Sequence, residues 1–544
     1  MARLPVVYVR GFAGPTSSID KQVDDPFYGF NNGSTHVRIG GDGDPLFYQF
    51  EGPLLRLMSD QDYRLLVRGD QQTYLLDRED GKVPKNSIWV HRFYDAAATT
   101  FDVPTQHDLL TRTLDKVQQR VGEPAGFNIE TAASSLYDFI ILIRKKTGAD
   151  KVYLVAHSMG GLIARSMMQK ISQTADSDEV ARTPARDLIE KFFTYATPHG
   201  GIDFDISALD WAMEAFGPAG ADIFAPDKMY GYLTKGAKWG DSAPQDWDPR
   251  VIDKNTFDPK NIFCLIGTNA GDYNLTRDIV GPRSDGLVKI DRAYVRGANR
   301  AFVHRSHSGR YGEVNSEEGY QNLRRFLLGR YAVQVDLCGL TLPSSPPNAV
   351  WQADVKVAIR GLPIVLHEQL AAHYCPIQLN KEVVQHRDGP DAPVPLTTTF
   401  LFDQNDVDPA GDRPSPRSRY TLSLKVFHIA EEDRRFLWTS HLEQVADWED
   451  TLIVDVGHDE DGDTGAPRAW IAWNSTVAGA IDSFDPITEG LASEEQRRDT
   501  PFLLRQDAQY CEIPLPEISR PILGNTARIR ITVSQEVDEK ETGG

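Results

Sequence analysis

The chain has 544 residues, more than one hydrophobic core supports, so two or three domains are expected. Its net charge of −20 argues against nucleic acid or anionic lipid as a partner bound through charge. The sequence contains no run of eighteen apolar residues, so no transmembrane helix is expected. The first predicted strand begins so early that we expect no secretory signal peptide before it. The four cysteines are scattered, as is typical of buried thiols in a reducing compartment (Cys264, Cys338, Cys375 and Cys511). We therefore expect a cytoplasmic protein, with signal-less export as the alternative.

The first part of the chain predicts two strands around a long insertion. Pro5–Arg10 is an apolar run typical of a buried strand, and Ser87–Tyr94 is a second such run. Residues 15–85 lie between them and are rich in aspartate, glycine and aromatic residues. This insertion either shapes a substrate cleft or covers the sheet edge. The alternating pattern of Tyr63–Val67 suggests one further strand within it.

Strands and helices then alternate along the chain. Amphipathic helices are predicted over Asp108–Val121 and Asn128–Thr147, with Gly148 as the C-cap of the second. Further buried strands are predicted over Lys191–Ala196 and Asn261–Gly267. This alternation predicts a parallel sheet covered by helices on both faces.

The stretch Lys151–Arg165, KVYLVAHSMGGLIAR, predicts a strand, a sharp turn and a helix with Ser158 at the apex. It matches the nucleophile elbow G-x-S-x-G, in which a strained turn lifts the serine hydroxyl above the sheet. Small residues are needed two positions before and after the serine, because the strand and helix backbones nearly touch there. Ala156 replaces the first glycine and Gly160 keeps the second. A Ser-Gly turn without chemistry is the alternative.

After Gly329 the pattern changes to short alternating strands, such as Val355–Ile359 and Tyr420–Val426, separated by loops rich in proline, glycine and aspartate. Such strands without helical periodicity predict an antiparallel β-sandwich over residues 331–544. The acidic loop Asp459–Asp463 has the carboxylate density of a calcium site. Its spacing does not fit an EF-hand, so we favour an acidic hairpin turn.

Four segments, VRGFAG, AHSMGGLIAR, ATPHGG and SDGLV, resemble the α/β-hydrolase lipase/esterase group, including hydrolase domains related to the GPI inositol deacylases. The resemblance covers residues 1–330 and implies an α/β-hydrolase fold with a mostly parallel, doubly wound sheet. It also implies that residues 202–250 form a lid over the serine, which would bring Trp211, Met213 and Phe216 to an acyl chain. Packing of these side chains onto the domain is the alternative.

The resemblance and the residues together predict a triad of Ser158, Asp285 and His307. A serine hydroxyl needs a base to take its proton, and the base needs a carboxylate to fix its tautomer. Asp285 supplies the acid within SDGLV, with a turn cap as its alternative role. His307 is preferred over His304 as the base, because small residues suited to an open loop follow it.

The backbone N–H groups of Phe12 and Met159 are predicted to form the oxyanion hole. Phe12 lies in RGFAG, where arginine replaces the usual histidine of the family, and an ordinary strand-to-helix turn is the alternative. The resemblance assigns a structural role to His199 in the Thr-Pro-His loop. No cofactor and no metal are predicted.

The sequence therefore predicts a serine hydrolase that cleaves carboxylic esters, with a lipid or phospholipid as the expected substrate. Amidase, peptidase or thioesterase chemistry from the same triad is one alternative. A scaffold or binding protein that has lost turnover is another. The expected partner is a small-molecule or lipid ester, and docking of the C-terminal domain onto a membrane or a protein is a further option.

Overall fold

The computed structural model describes residues 3–11, 34–39, 45–50, 52–66, 71–91, 128–175, 181–202, 222–271, 281–307, 312–343, 349–379, 393–402, 417–429, 446–458, 467–476, 503–505 and 508–535. They fall into two compact units. One lies within Met1–Arg300 and Arg305–Leu323, and the other within Ala301–His304 and Arg324–Gly544. In these ranges no helix is both long enough and apolar enough to cross a membrane.

Six short, mostly buried strands form one sheet: β1 (Val6–Val9), β4 (Ile88–His91), β5 (Val152–His157), β6 (Ile189–Tyr195), β7 (Ile262–Gly267) and β8 (Asn299–Val303). Their order across the sheet is β4-β1-β5-β6-β7-β8. The pairs from β4 through β7 are all parallel. Later strands are thus added on both sides of β1, as in doubly wound sheets.

Helices accompany these strands: α1 (Gly52–Gln61), α2 (Gln71–Leu76), α3 (Ile129–Thr147), α4 (Met159–Gln169), α5 (Pro226–Leu233) and α6 (Glu317–Leu328). α3 begins and ends as its sequence predicts. Asn128 caps it by accepting hydrogen bonds from two backbone N–H groups, and Gly148 ends it in the left-handed conformation with φ 64. The predicted α/β-hydrolase fold is confirmed.

The insertion after β1 contains a hairpin that the sequence did not predict. Its strands β2 (Ser34–Ile39) and β3 (Pro45–Phe50) pair antiparallel. The strand predicted over Tyr63–Val67 is wrong for the described residues 63–66, because only Arg64 pairs, in a single bridge to Ser87. Asp62, with φ 53, turns the chain sharply out of α1 just before this segment.

The second unit is built from antiparallel strands: β9 (Tyr331–Cys338), β10 (Val350–Ile359), β11 (Ile364–Gln369), β12 (Ile377–Gln378), β13 (Val394–Leu401), β14 (Arg417–Ile429), β15 (Trp448–His458), β16 (Pro467–Trp473), β17 (Leu503–Arg505), β18 (Ala508–Pro514) and β19 (Arg528–Gln535). One sheet has the order β11-β10-β14-β15-β16, with β12 paired to β10. The other has the order β13-β9-β19-β18-β17. A short helix, α7 (Arg520–Leu523), precedes the last strand.

Apolar side chains of both sheets share one core. Leu337 and Ile529 come from the β9–β19 sheet, and Val355 and Leu424 come from the β10–β14 sheet. Alternate residues along each strand face this core, as in two sheets packed face to face. The predicted all-β, sandwich-like C-terminal region is confirmed.

Candidate active site

The candidate site lies beyond the carboxyl ends of β1 and β5, the neighbouring strands from which the sheet builds outwards. In open parallel sheets, ligands bind outside the carboxyl ends of the strands at such a point. Gly11 follows β1 and Ser158 follows β5. The loop after β7 brings Asp285 to the site, and the loop after β8 brings His307.

Ser158 is held in a strained turn between β5 and α4. Its backbone has φ 53 and ψ −127, a combination that side-chain-bearing residues rarely adopt. A Cβ on Gly11 would lie 2.8 Å from the Ser158 Cβ, and a Cβ on Gly160 would meet the backbone oxygen of Val9. The elbow therefore requires glycine at both positions. The strand, turn and helix predicted around Ser158 are present.

His307 bridges Ser158 and Asp285. Its Nε2 lies 3.0 Å from Ser158 Oγ, and its Nδ1 lies 2.9 Å from Asp285 Oδ2. Since a carboxylate only accepts hydrogen bonds, Nδ1 carries the proton and Nε2 is free to accept the serine hydroxyl. All three residues are buried, with exposed fractions of 9% for Ser158, 4% for His307 and 1% for Asp285. This arrangement can move a proton from serine to histidine beside a stabilising carboxylate.

Asp285 is fixed by its own loop. Its Oδ1 accepts the N–H groups of Leu287 at 2.9 Å and Val288 at 2.7 Å. Its backbone oxygen accepts the N–H of His307 at 2.9 Å. A Cβ on Gly267, the last residue of β7, would lie 2.9 Å from the Asp285 Cβ, so glycine lets this loop close against the sheet. Asp285 thus caps a turn with one oxygen and keeps the other for His307.

His157, the residue before Ser158, holds the loop that carries His307. Its Nε2 lies 3.1 Å from the backbone oxygen of His307, and it carries the proton because a carbonyl can only accept. Burial, with His307 nearby, lowers the pKa of His157 to about 3, so the ring is neutral at ordinary pH. The sequence shows His157 only as part of the elbow motif, and no spacing rule points to this hydrogen bond.

His304, the other candidate base, lies against a different histidine. Its ring stacks on His373 with 3.7 Å between ring centroids and 9° between the planes. Its backbone N–H lies 3.2 Å from Glu368 Oε1. The structure therefore brings His307, rather than His304, to the serine.

His199 is buried away from the reacting groups. Its Nε2 lies 3.1 Å from Thr194 Oγ1 and 3.6 Å from Cys264 Sγ. Burial, together with the positive charge of Arg165, lowers the pKa of His199 well below its usual value. These contacts accord with the structural role that the sequence suggests.

Met159 offers a backbone N–H beside the serine. As the first residue of α4, it has an N–H that no carbonyl of that helix can accept. The helix N-terminus also carries partial positive charge, which suits a developing oxyanion. The second predicted donor, Phe12, lies just outside the described residues, which end at Gly11 here.

Several predicted features also lie outside the described residues: the helix over Asp108–Val121, the lid residues Trp211, Met213 and Phe216, and the acidic loop Asp459–Asp463. Of the predicted lid, residue 202 and residues 222–250 are described, and the latter include α5. Across the part of the chain that the structure describes, no group of three or more His, Cys, Asp or Glu side chains is placed to hold a metal ion.

Residues 116–217 match the protein family described as "Putative serine esterase (DUF676)". This segment contains α3, β5, Ser158 and β6. No curated protein matches the chain at the significance required of a match. Among solved structures, the chain is similar to "the putative cell surface hydrolase from Lactobacillus plantarum WCFS1", with 12% identity and a TM-score of 0.24 over 60% of this chain and 92% of that one. The family match supports a hydrolase.

Proposed function

We propose that this chain is a serine hydrolase that cleaves carboxylic esters, with Ser158 as nucleophile, His307 as general base and Asp285 as its partner. The main support for this proposal is the hydrogen-bonded series from Ser158 through His307 to Asp285, in which Ser158 lies at the apex of a strained elbow. The match of residues 116–217 to a serine esterase family supports the same chemistry.

In the first half-reaction, Ser158 Oγ attacks the acyl carbonyl carbon while His307 Nε2 takes the hydroxyl proton. The N–H groups of Met159 and Phe12 bind the oxyanion that develops on the carbonyl oxygen. His307 then gives its proton to the leaving alkoxide, and the alcohol departs from an acyl-serine. Asp285 stabilises the imidazolium through the Nδ1–H group.

In the second half-reaction, water attacks the acyl-serine and His307 takes a proton from the water. The tetrahedral intermediate collapses, and the proton returns to Ser158 Oγ as the carboxylic acid leaves. One ester and one water thus give one acid and one alcohol, without a redox step.

The proposed substrate class is a lipid ester. Its support is the aromatic composition of the two sequence insertions, with Phe27, Tyr28, Trp211 and Phe216 as examples. These side chains lie outside the described residues, so only the composition of the insertions supports this substrate class. A fold that hosts many hydrolases does not by itself select an acyl chain.

The test is hydrolysis of p-nitrophenyl esters of increasing acyl-chain length by the wild-type protein and three variants. Ser158→Ala and His307→Ala should each lower kcat by about a thousandfold or more, because the nucleophile and its base act as one unit. His304→Ala is the matched control and should keep its activity, since that ring stacks on His373. Rates that rise with chain length would support a lipid ester.

Covalent labelling by a fluorophosphonate separates an enzyme from a scaffold. Labelling of the wild-type protein that is lost in Ser158→Ala would place the activated serine at position 158. If the protein hydrolysed amides or thioesters but no ester, the proposed substrate class would be wrong. A wild-type protein that is neither labelled nor active on any ester would overturn the proposal.

A further inference from the structure

Arg165 is a buried cation on α4, the helix that begins directly after Ser158. Its exposed fraction is 0%. Nη1 donates to the backbone oxygen of His199 at 3.0 Å, and Nη2 donates to the backbone oxygen of Pro249 at 2.6 Å. Nε donates to Gln169 Oε1 at 2.9 Å, which fixes the plane of the guanidinium group. In the described part of the chain, the hydrogen bonds of this buried charge thus go to neutral oxygens rather than to a carboxylate.

The two backbone oxygens lie near the two ends of one long connection between β6 and β7. We call residues 200–251 the inserted segment, and residues 200–202 and 222–251 of it are described. His199 lies just before this segment, and Pro249 lies close to its end. A planar group with donors on separate nitrogens suits two acceptors that belong to different stretches of chain. One guanidinium group therefore holds the inserted segment at both ends.

Ser166 on α4 and Lys170, the residue after α4, hold the end of α5 within the inserted segment. Ser166 Oγ donates to the backbone oxygen of Tyr232 at 2.9 Å, and Lys170 Nζ donates to that of Gly231 at 2.7 Å. Both oxygens belong to the last turn of α5, where a helix has no partners of its own for its carbonyl groups. Lys170 also pairs with Glu130 on α3 at 2.8 Å and places a positive charge at the negative end of the α5 dipole. The end of α5 is therefore bound to the elbow helix and its neighbours.

Further hydrogen bonds hold the described start of the inserted segment. Gly200 forms two of them with Arg292: its N–H donates to the backbone oxygen at 2.8 Å, and its own oxygen accepts from Nη1 at 2.6 Å. The N–H of Ile202 donates to the backbone oxygen of Phe224 at 2.8 Å. The described start of the segment is therefore tied to its later part.

The inserted segment leaves the sheet beside the serine. β6 pairs in parallel with β5, and Ser158 follows β5 directly. The N–H of Ser158 donates to the backbone oxygen of Tyr195, the last residue of β6, at 2.9 Å. Loops at the carboxyl ends of neighbouring parallel strands share one edge of a sheet. We therefore expect a substrate that extends from Ser158 along this edge to contact the inserted segment.

We propose that Arg165 is a positioning residue that fixes both ends of the inserted segment on α4, so that the described part of this segment is a rigid wall of the substrate cleft. The wall moves with the serine elbow and does not swing as a separate lid. Only its effect on substrate binding rests on the proposed function. Arg165 itself contacts neither the substrate nor the reacting atoms.

Hydrogen–deuterium exchange of the substrate-free protein tests the clamp. In the wild-type protein, the amides of α5 should exchange within about tenfold of the rate of those of α4, because the two helices open together. In Arg165→Lys, exchange over both 196–202 and 247–252 should accelerate about tenfold or more, because one ammonium group does not reproduce the planar fork. Arg186→Lys is the matched control, since exposed Arg186 donates to the backbone oxygen of Asn255 at 2.8 Å. It should leave both stretches unchanged.

Three results would overturn the clamp. The first is a wild-type α5 that exchanges about a hundredfold faster than α4, which would show that α5 opens alone. The second is an Arg165→Lys protein in which one or both stretches keep the wild-type rate. The third is Ser166→Ala with unchanged exchange in α5, because this mild variant removes the bond to Tyr232. The first and third remain decisive if Arg165→Lys does not fold.

Kinetics on two esters test the positioning role. For p-nitrophenyl octanoate, Arg165→Lys should raise KM about tenfold and keep kcat within about twofold, because a displaced wall weakens binding of the long chain in ground and transition state alike. For p-nitrophenyl acetate, which is too short to use the wall, both constants should stay close to wild type. An equal loss of kcat on both esters would place the effect at the elbow and overturn this role. If the wild-type protein hydrolysed neither ester, the proposed function would fail, while the exchange data would still decide whether Arg165 clamps the segment.

Discussion

The hydrogen bond from His157 to the backbone oxygen of His307 joins the residue beside the serine to the residue that would take the serine proton. The His307 ring is buried and the His157 ring is half-buried, with 5.3 Å between their centroids. Because His157 is neutral, it holds the loop without adding charge that would compete with the imidazolium. The His157 side chain thereby holds the loop of His307, the proposed base, next to Ser158.

We expect His157→Leu to lower kcat about tenfold with little change in KM, because one partly buried hydrogen bond that orients His307 is lost. His157→Gln is the control, since its side-chain amide can still donate to the His307 oxygen. Steady-state kinetics on a short p-nitrophenyl ester measure both. Equal losses in the two variants would attribute the effect to ring packing rather than to the hydrogen bond.

At the scale of residues, the residues predicted correctly from the sequence are those that belong to short local motifs. Ser158 and Asp285 lie in short patterns whose backbone shape is local, and the structure places His307 within hydrogen-bond distance of both. Their catalytic roles stay predictions. The hydrogen bond from His157 to the backbone oxygen of His307 was not predictable, because nothing in the local sequence of His157 indicates which distant loop it contacts.

At the scale of elements, α3 shows how side chains set the limits of a helix. Asn128 Oδ1 accepts the N–H groups of Glu130 at 2.9 Å and Thr131 at 3.1 Å, two of the donors that a helix start leaves unpaired. Three basic residues in the last turn oppose the negative end of the helix dipole. Local chemistry thus defines both ends of this 19-residue helix.

We expect Asn128→Ala to lower the free energy of unfolding of the first unit by about 1 kcal/mol, because both donors lose their acceptor. Asn128→Ser restores a capping oxygen and should recover most of the loss. Urea unfolding followed by far-UV circular dichroism measures the difference. An alanine variant as stable as wild type would show that the cap contributes nothing to this unit.

The elements that the sequence predicted well are those with a long period or a specific cap, such as α3 and the alternating strands of the sandwich. The hairpin of β2 and β3 was not predicted, because an aromatic, glycine-rich segment has no clear period. The strand expected over Tyr63–Val67 was wrong for the opposite reason. It has an alternating pattern, but after the turn at Asp62 only Arg64, among the described residues 63–66, forms a bridge, which is to Ser87.

At the scale of the whole molecule, two buried histidines and one half-buried histidine make the first unit sensitive to acid. Burial lowers the pKa of His91 to about 4, that of His157 to about 3 and that of His199 well below its usual value. Unfolded, each ring takes up a proton near pH 6.5. Stability from these rings is therefore fully present above pH 6.5, and it falls as the pH drops towards 4.

We expect His91→Gln to reduce the pH dependence of unfolding by about 1.4 kcal/mol per pH unit between pH 6 and pH 5, because one proton fewer is bound on unfolding. Glutamine can still donate to the backbone oxygen of Ala132, which His91 approaches. Chemical denaturation across this range measures the slope, with pH 7.5 to 8 as the internal control. A slope equal to that of wild type would refute the assignment of His91 as neutral.

The parts of the site are far apart along the chain. Gly11 follows β1, Ser158 follows β5, and His307 lies 149 residues beyond Ser158. During translation, Ser158 is therefore synthesised long before His307. Under the proposed function, a nascent chain that has emerged only as far as α4 presents a serine without a proton acceptor, and it cannot attack the esters of the cell that makes it. Hydrolysis begins only when synthesis has passed the His307 loop.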